Sequence, residues 1–169
     1  MNISIIGATG RTGKEVVKQA LDAGHHVTGF ARSPSKLGIK DEKLTMVMGN
    51  GKTITDLKPA IDGQDVVVCA VGSGNDVSSK MMRTIITKNI IELMQQHTPD
   101  ALLVIVSSLG VGESKYQLPI PLRWIALFIL RNPLADHATQ EEAVRTSGLK
   151  YLIVRPGGLT EDAVTGQYH

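Results

Sequence analysis

Gly7-Ala8-Thr9-Gly10-Arg11-Thr12-Gly13 stands between an apolar run, Asn2 to Ile6, and a stretch of helical period, Lys14 to Ala23. In that position the three glycines decide the fold. Asn2 to Ile6 is apolar almost throughout, as a strand buried on both faces requires. Val16, Val17, Ala20 and Leu21 share one helical face, and Gly24 sits where a C-terminal glycine ends a helix. The segment therefore reads as strand, glycine turn and helix. Small residues in such a turn let the backbone approach a pyrophosphate, and the helix that follows offers unpaired N–H groups and the positive end of its dipole. Gly7, Thr9, Gly10, Arg11, Thr12 and Gly13 are thus expected to cradle the phosphates of a dinucleotide.

The same alternation continues outward. His26 to Ala31, Leu44 to Met48, Asp65 to Val71, Ala101 to Val106 and Lys150 to Val154 read as further strands. Helical periods follow over Ser78 to Gln96, Pro119 to Leu130 and Leu134 to Thr146, the last two broken at Asn132-Pro133. Six strands joined by connections of crossover length predict an α/β fold, a doubly wound parallel sheet with helices on both faces, in a single domain over residues 1–169.

The end of the second strand indicates which nucleotide. An Asp or Glu about 20 residues past the glycines would hold the adenosine ribose hydroxyls. Here Arg32 stands 19 residues after Gly13, with Ser33 beside it and Lys36 nearby. A guanidinium offers planar, charged donors to phosphate oxygens, so this pattern favours NADP(H) over NAD(H). Arg11 can reach the same phosphate. Because ligands sit outside the carboxyl ends of such strands, topology sets Asn50 and Gly51 beside the adenine, and Val71, Gly72 and Ser73 along the ribose on the nicotinamide side.

Composition narrows the function classes. Of 169 residues, 42% are hydrophobic, and 18 basic against 16 acidic side chains leave a net charge of +2, too little to favour nucleic acid as a partner. Aromatic residues amount to 4%, which does not support a base-stacking surface. One cysteine, Cys69, makes neither an internal disulfide nor a multi-cysteine metal site, and within an apolar strand it reads as core packing. The longest apolar stretch, Leu118 to Leu130, has 13 residues and is interrupted by two prolines and Arg123, short of the roughly 20 that span a bilayer. A cytoplasmic protein with no membrane segment and no metal is expected, and an oligomer is compatible with the sequence.

Several of these segments together resemble a family. The glycine turn, Gly63-Gln64-Asp65-Val66-Val67, Gly72-Ser73-Gly74-Asn75-Asp76, Ser107-Ser108, and Ser147-Gly148-Leu149-Lys150-Tyr151 leading to Arg155-Pro156-Gly157 are similar to the atypical short-chain dehydrogenase/reductases. Within that group the likeness is to the flavin reductase/biliverdin reductase B type and to the NmrA-like proteins. The resemblance implies an NADP-binding Rossmann domain, three-layer α/β/α, with the substrate on the nicotinamide side. It implies an NADPH-dependent oxidoreductase passing hydride to a planar, conjugated, flavin- or quinone-like acceptor, or else a non-catalytic NADP(H) sensor of NmrA-like type.

Three departures stand out. Tyr116 is followed four positions later by Ile120, so the Tyr-x-x-x-Lys pair of the wider superfamily is missing. Gly157-Gly158 occupies the loop where the flavin reductase type carries a histidine. Relatives also continue beyond a segment matching Thr165 to Tyr168, so the chain is expected to lack their C-terminal part. Candidates for the chemistry itself are Ser108, after the fifth strand and near the expected nicotinamide, and His137, which can exchange a proton near neutral pH. Asp136 reads as a helix cap, His137 and Glu141 share a helical face, and Trp124 and Phe128 are candidate walls of an acceptor pocket.

Overall fold

A computed structural model of the chain describes residues 1–72, 81–117, 131–157 and 159. The expected helix at Pro119 to Leu130, the residues Ser73 to Lys80, Trp124 and Phe128, Gly158 and the segment from Thr165 to Tyr168 lie outside the described residues.

Six strands form one sheet: β1 (Asn2–Ile6), β2 (His26–Ala31), β3 (Leu44–Met48), β4 (Val66–Cys69), β5 (Leu102–Val106) and β6 (Lys150–Val154). Their order is β3-β2-β1-β4-β5-β6 and every pairing is parallel. The chain starts in the middle, winds outward to β3, returns past β1 and winds out to β6. That reversal between β1 and β4 is the switch point at which doubly wound sheets bind ligands.

Helices α1 (Arg11–Asp22), α2 (Ile54–Ile61), α3 (Met82–His97) and α4 (Arg131–Arg145) cover the sheet among the described residues. Side chains alternate across a strand, so each strand feeds two cores. Ile5, Val27 and Val68 pack with Val17 and Ala20 of α1 on one face. Ile6, Phe30, Val67, Cys69, Leu103 and Ile105 pack on the other, beneath α2, α3 and α4. Gly24 ends α1 as expected, at φ +82°, with its N–H donating to the Leu21 carbonyl at 2.8 Å and that of His25 donating to Ala20 at 3.0 Å. These two bonds close the helix in a Schellman motif. None of the described helices is long and apolar enough to cross a membrane.

Two expectations need correction. No local pattern announced α2, because it has eight residues and carries Pro59. Burial overrides that breaker: Leu57, Ala60 and Ile61 are fully enclosed, and proline so late in a helix costs one backbone bond. Asn132-Pro133 does not precede the last helix but lies in its first turn, where the missing proline N–H has no helical acceptor to lose.

Candidate functional site

The glycine turn closes the carboxyl end of β1 against its neighbours. The amides of Gly7 and Ala8 donate to the Phe30 carbonyl at 2.9 and 3.2 Å, and the Gly10 amide donates back to Gly7 at 2.9 Å. Gly7 has φ +92°, and a Cβ there would stand 2.9 Å from the Ala70 carbonyl oxygen. A Cβ on Gly13 would collide with the carbonyl oxygen of Gly7. Turn and helix therefore touch backbone to backbone, a contact that only glycine permits.

Gly10 caps α1 without a side-chain hydrogen bond, and the first-turn amides of Arg11, Thr12 and Gly13 have no acceptor among the described residues. Three unpaired donors at the positive end of a twelve-residue helix fit a pyrophosphate. Arg11 and Arg32 are both exposed, and neither joins an ion pair among the described residues. Ser33 follows at the start of a 3-10 turn, Pro34–Lys36.

On the adenine side, Asn50 is exposed beyond β3. Its amide donates to Asp56 at 2.9 Å and its side-chain oxygen accepts from the Lys52 amide at 3.2 Å, which leaves the side-chain NH2 without a protein acceptor among the described residues. Gly51 is buried against Ile86, so its lack of a side chain also serves packing. Val71 and Gly72 follow β4 at the same edge of the sheet.

The proposed chemical residues sit in different surroundings. Ser108 is half-buried, and its hydroxyl donates to the Leu109 carbonyl at 3.1 Å. Its neighbour Ser107, which the sequence reading quoted beside it without a role of its own, is buried and donates to Glu141 at 2.7 Å. Glu141 also accepts from both ends of the Arg155 guanidinium and lies 3.5 Å from Arg145. Burial alone pushes the Glu141 carboxyl up, but the hydrogen bonds from Arg155 and Ser107 and the charges of Arg155 and Arg145 outweigh it, leaving the group below its usual value. With Leu109 donating to the Pro156 carbonyl at 2.9 Å, this cluster fixes the loops after β5 and β6 to each other. A cleft of about 200 Å³ opens beside it, below the roughly 300 Å³ at which ligand pockets begin.

His137 and Glu141 share a face of α4 but not a partner. The His137 Nδ1 stands 3.2 Å from the Gln140 Oε1, while the Gln140 Nε2 donates to the Thr87 Oγ1 at 2.9 Å and lies 3.9 Å from the Cys69 sulfur. Burial, and then the Arg83 charge, hold the His137 imidazole below its ordinary pKa, so it is neutral at pH 7. Burial also pushes the Cys69 thiol up, in keeping with its expected core role. Asp136 caps a helix, but not its own: it lies in the second turn of α4 and accepts from the amides of Arg83 and Thr84 at the start of α3. No group of three His, Cys, Asp or Glu that could hold a metal occurs among the described residues.

Sheet order, glycine turn and unpaired helix amides together define a dinucleotide-binding Rossmann domain. The chain belongs to the NAD(P)H-binding family, whose model matches residues 7–169. It is 29% identical to an uncharacterised chloroplastic protein of Arabidopsis thaliana over 97% of the chain, spanning 61% of that protein's length. It is 28% identical to the reductase pytE of Aspergillus terreus, over 94% of the chain and 76% of the relative. Among solved structures, a Rossmann-fold NAD(P)-binding family protein from Shigella flexneri is 29% identical, with a TM-score of 0.71 over 96% of this chain and 70% of the other.

Proposed function

We propose that the chain is an NADPH-dependent oxidoreductase acting on a planar, conjugated acceptor of flavin or quinone type. The observation that carries this reading is the glycine turn closing on α1 with three amides left unpaired. Gly7, Thr9, Gly10, Arg11, Thr12 and Gly13 would hold the pyrophosphate, Arg32 and Ser33 the 2′-phosphate, and Asn50 and Gly51 the adenine. Val71, Gly72 and Ser73 would line the nicotinamide half. Bound there, the cofactor supplies the hydride, and the chain supplies orientation and exclusion of water.

Ser108 and His137 are the polar groups assigned to the acceptor side. The absent Tyr-x-x-x-Lys pair favours an acceptor that takes hydride without a strong protein acid. The likeness to a reductase supports the same class.

NADPH oxidation measured against flavins, quinones and simple carbonyls tests the proposal, with turnover expected on the first two. Binding of NADPH without turnover on any of them would overturn it. A sensor that binds NADP(H) without turnover is favoured by one observation: the Ser108 hydroxyl is already engaged by the Leu109 carbonyl. That reading predicts tight cofactor binding and a cofactor-dependent change in affinity for a protein partner. The domain is proposed to be a single unit over residues 1–169, working in the cytoplasm on small molecules.

A further inference from the structure

Between α3, α4 and β4 a chain of buried side chains leads to His137, and the proposed reaction gives its other members no role. Thr87 Oγ1 lies 3.7 Å from the Cys69 sulfur, Gln140 Nε2 donates to Thr87 Oγ1, and Gln140 Oε1 faces His137 Nδ1. Gln140 is 1% exposed and Thr87 is fully buried, so neither side chain has room to turn freely.

An amide has one donor end and one acceptor end, and here the donor end points at Thr87 and the acceptor end at His137. With Nε2 towards Thr87, the nearest group to the Cys69 sulfur on this side chain, at 3.9 Å, is an N–H. The donor end therefore faces Thr87 and Cys69, and the acceptor end faces the imidazole. A nitrogen opposite an acceptor oxygen must carry the proton.

We propose that Gln140 is a positioning residue that holds His137 as the Nδ1–H tautomer, so that Nε2 presents a lone pair and accepts a hydrogen bond from an O–H or N–H of the docked ligand. Nε2 has no partner among the described residues and is not enclosed without one. Its place follows from the helix. α4 leads into β6 and so begins at the carboxyl edge of the sheet, and three residues of helix raise His137 about 4.5 Å above Gln140. Gln140 is level with Cys69, the last residue of β4. His137 therefore stands at the height of Val71 and Gly72.

Among the described residues, the charged groups acting on the ring are Arg83 from α3 and Asp136 and Glu141 from α4. Burial and Arg83 prevail over the two carboxylates and favour the neutral ring. A neutral ring protonated at Nδ1 cannot give a proton through Nε2. In the reductive direction His137 thus orients a ligand hydroxyl or amine, and the proton comes from solvent. The ligand-facing role rests on the reductase reading; the tautomer does not.

Long-range proton–nitrogen correlation spectra of the histidine-labelled protein without cofactor, near pH 7.5, test the assignment. The native chain is expected to show the proton on Nδ1 and the lone pair on Nε2; a proton on Nε2 would overturn it. Gln140→Leu should restore the mixture of tautomers seen in a free imidazole. Gln140→Glu should keep the proton on Nδ1 and raise the ring's pKa by about one unit or more, through a carboxylate in contact. Should Gln140→Leu fail to fold, Thr87→Val removes the amide's other anchor and is expected to give the same mixture.

Addition of NADPH then reports on the second half. A shift at Nε2 with Nδ1–H retained supports the acceptor role, and an unmoved Nε2 in saturated protein overturns it. If the Gly10–Gly13 amides also fail to respond, the dinucleotide reading falls while the tautomer stands.

Discussion

The Asp136 carboxylate on α4 accepts the backbone N–H of Thr84 on α3 at 3.0 Å, and the Thr84 hydroxyl returns to the same carboxylate at 2.8 Å. With the Arg83 amide at 3.0 Å and its guanidinium at 3.4 Å on the other oxygen, one side chain satisfies two first-turn amides of a neighbouring helix. Met81, at the usual capping position, is left-handed and supplies no side-chain bond. Asp136 therefore replaces a local cap, and it also ties α3 to α4 at the edge of the sheet where the nicotinamide half is proposed to lie.

Removing that tie has a calculable effect. A local cap is worth about 1 kcal/mol, and a buried donor left without an acceptor costs about 1–3 kcal/mol. Asp136→Ala leaves two such amides, those of Arg83 and Thr84, without their acceptor and should lower the unfolding free energy by about 2–6 kcal/mol in urea. Thr84→Val, which keeps both amide bonds, should cost less than half as much. Equal midpoints for Asp136→Ala and the native chain would show that the cap carries no stability.

Glu141 makes stability depend on acid. Its folded pKa lies below the unfolded value, so its contribution is complete above the ordinary carboxylate range, about pH 4.3, and is lost as pH falls through the folded value. The Glu141→Gln variant should be less stable than the native chain by a constant amount from about pH 5.5 to 7.5, and the gap should narrow steadily below about pH 4.5. Urea titrations at half-unit intervals measure it, and a gap that widens in acid would reverse the sign of the linkage. Arg155→Met should reproduce the loss at neutral pH, because it leaves a carboxylate buried among fewer donors.

How much of this was legible beforehand depends on the range of the interaction. The glycine turn, all six strands and the Gly24 stop depend on neighbours within a few positions, and period or spacing displays them. The α2 helix was hidden because its eight residues contain Pro59 and its helical state comes from burial against other elements. Asp136 was recognisable as a cap, but its target is 52 residues away in sequence, beyond the reach of any local pattern. The Ser107–Glu141–Arg155 cluster and the Gln140–Thr87 contact are likewise meetings of separate elements. Glu141 could be seen to share a face with His137, yet only the packed structure gives each a different partner.

Gly13 in the glycine turn and Gly24 at the end of α1 yield a graded prediction. Gly24 has φ +82°, and a methyl group added there would meet nothing within 4 Å, so Gly24→Ala should cost only the backbone strain, about 1 kcal/mol. At Gly13 the methyl meets the Gly7 carbonyl oxygen, and overpacking of backbone on backbone adds about 1–3 kcal/mol. Gly13→Ala should therefore melt lower than Gly24→Ala and lose NADPH affinity by about tenfold or more, while Gly24→Ala binds normally. Fluorescence titration beside a thermal melt separates the two effects, and undiminished binding in Gly13→Ala would remove the turn from the phosphate site.

Arg32 tests the choice between the two dinucleotides. It is exposed just past β2, in no ion pair among the described residues, with no carboxylate following the strand to take the ribose hydroxyls. A charged hydrogen bond contributes about 1.5–3 kcal/mol, so Arg32→Ser should weaken NADPH about 10- to 100-fold and leave NADH within about threefold. Exposure implies screening, so raising the salt from about 0.05 to about 0.5 M should erode NADPH affinity more in the native chain than in the variant. Calorimetric titration of both nucleotides with both proteins gives the four constants needed. A parallel loss for NADPH and NADH would mean that Arg32 holds a group common to both, and the preference for the phosphorylated cofactor would have to come from Arg11.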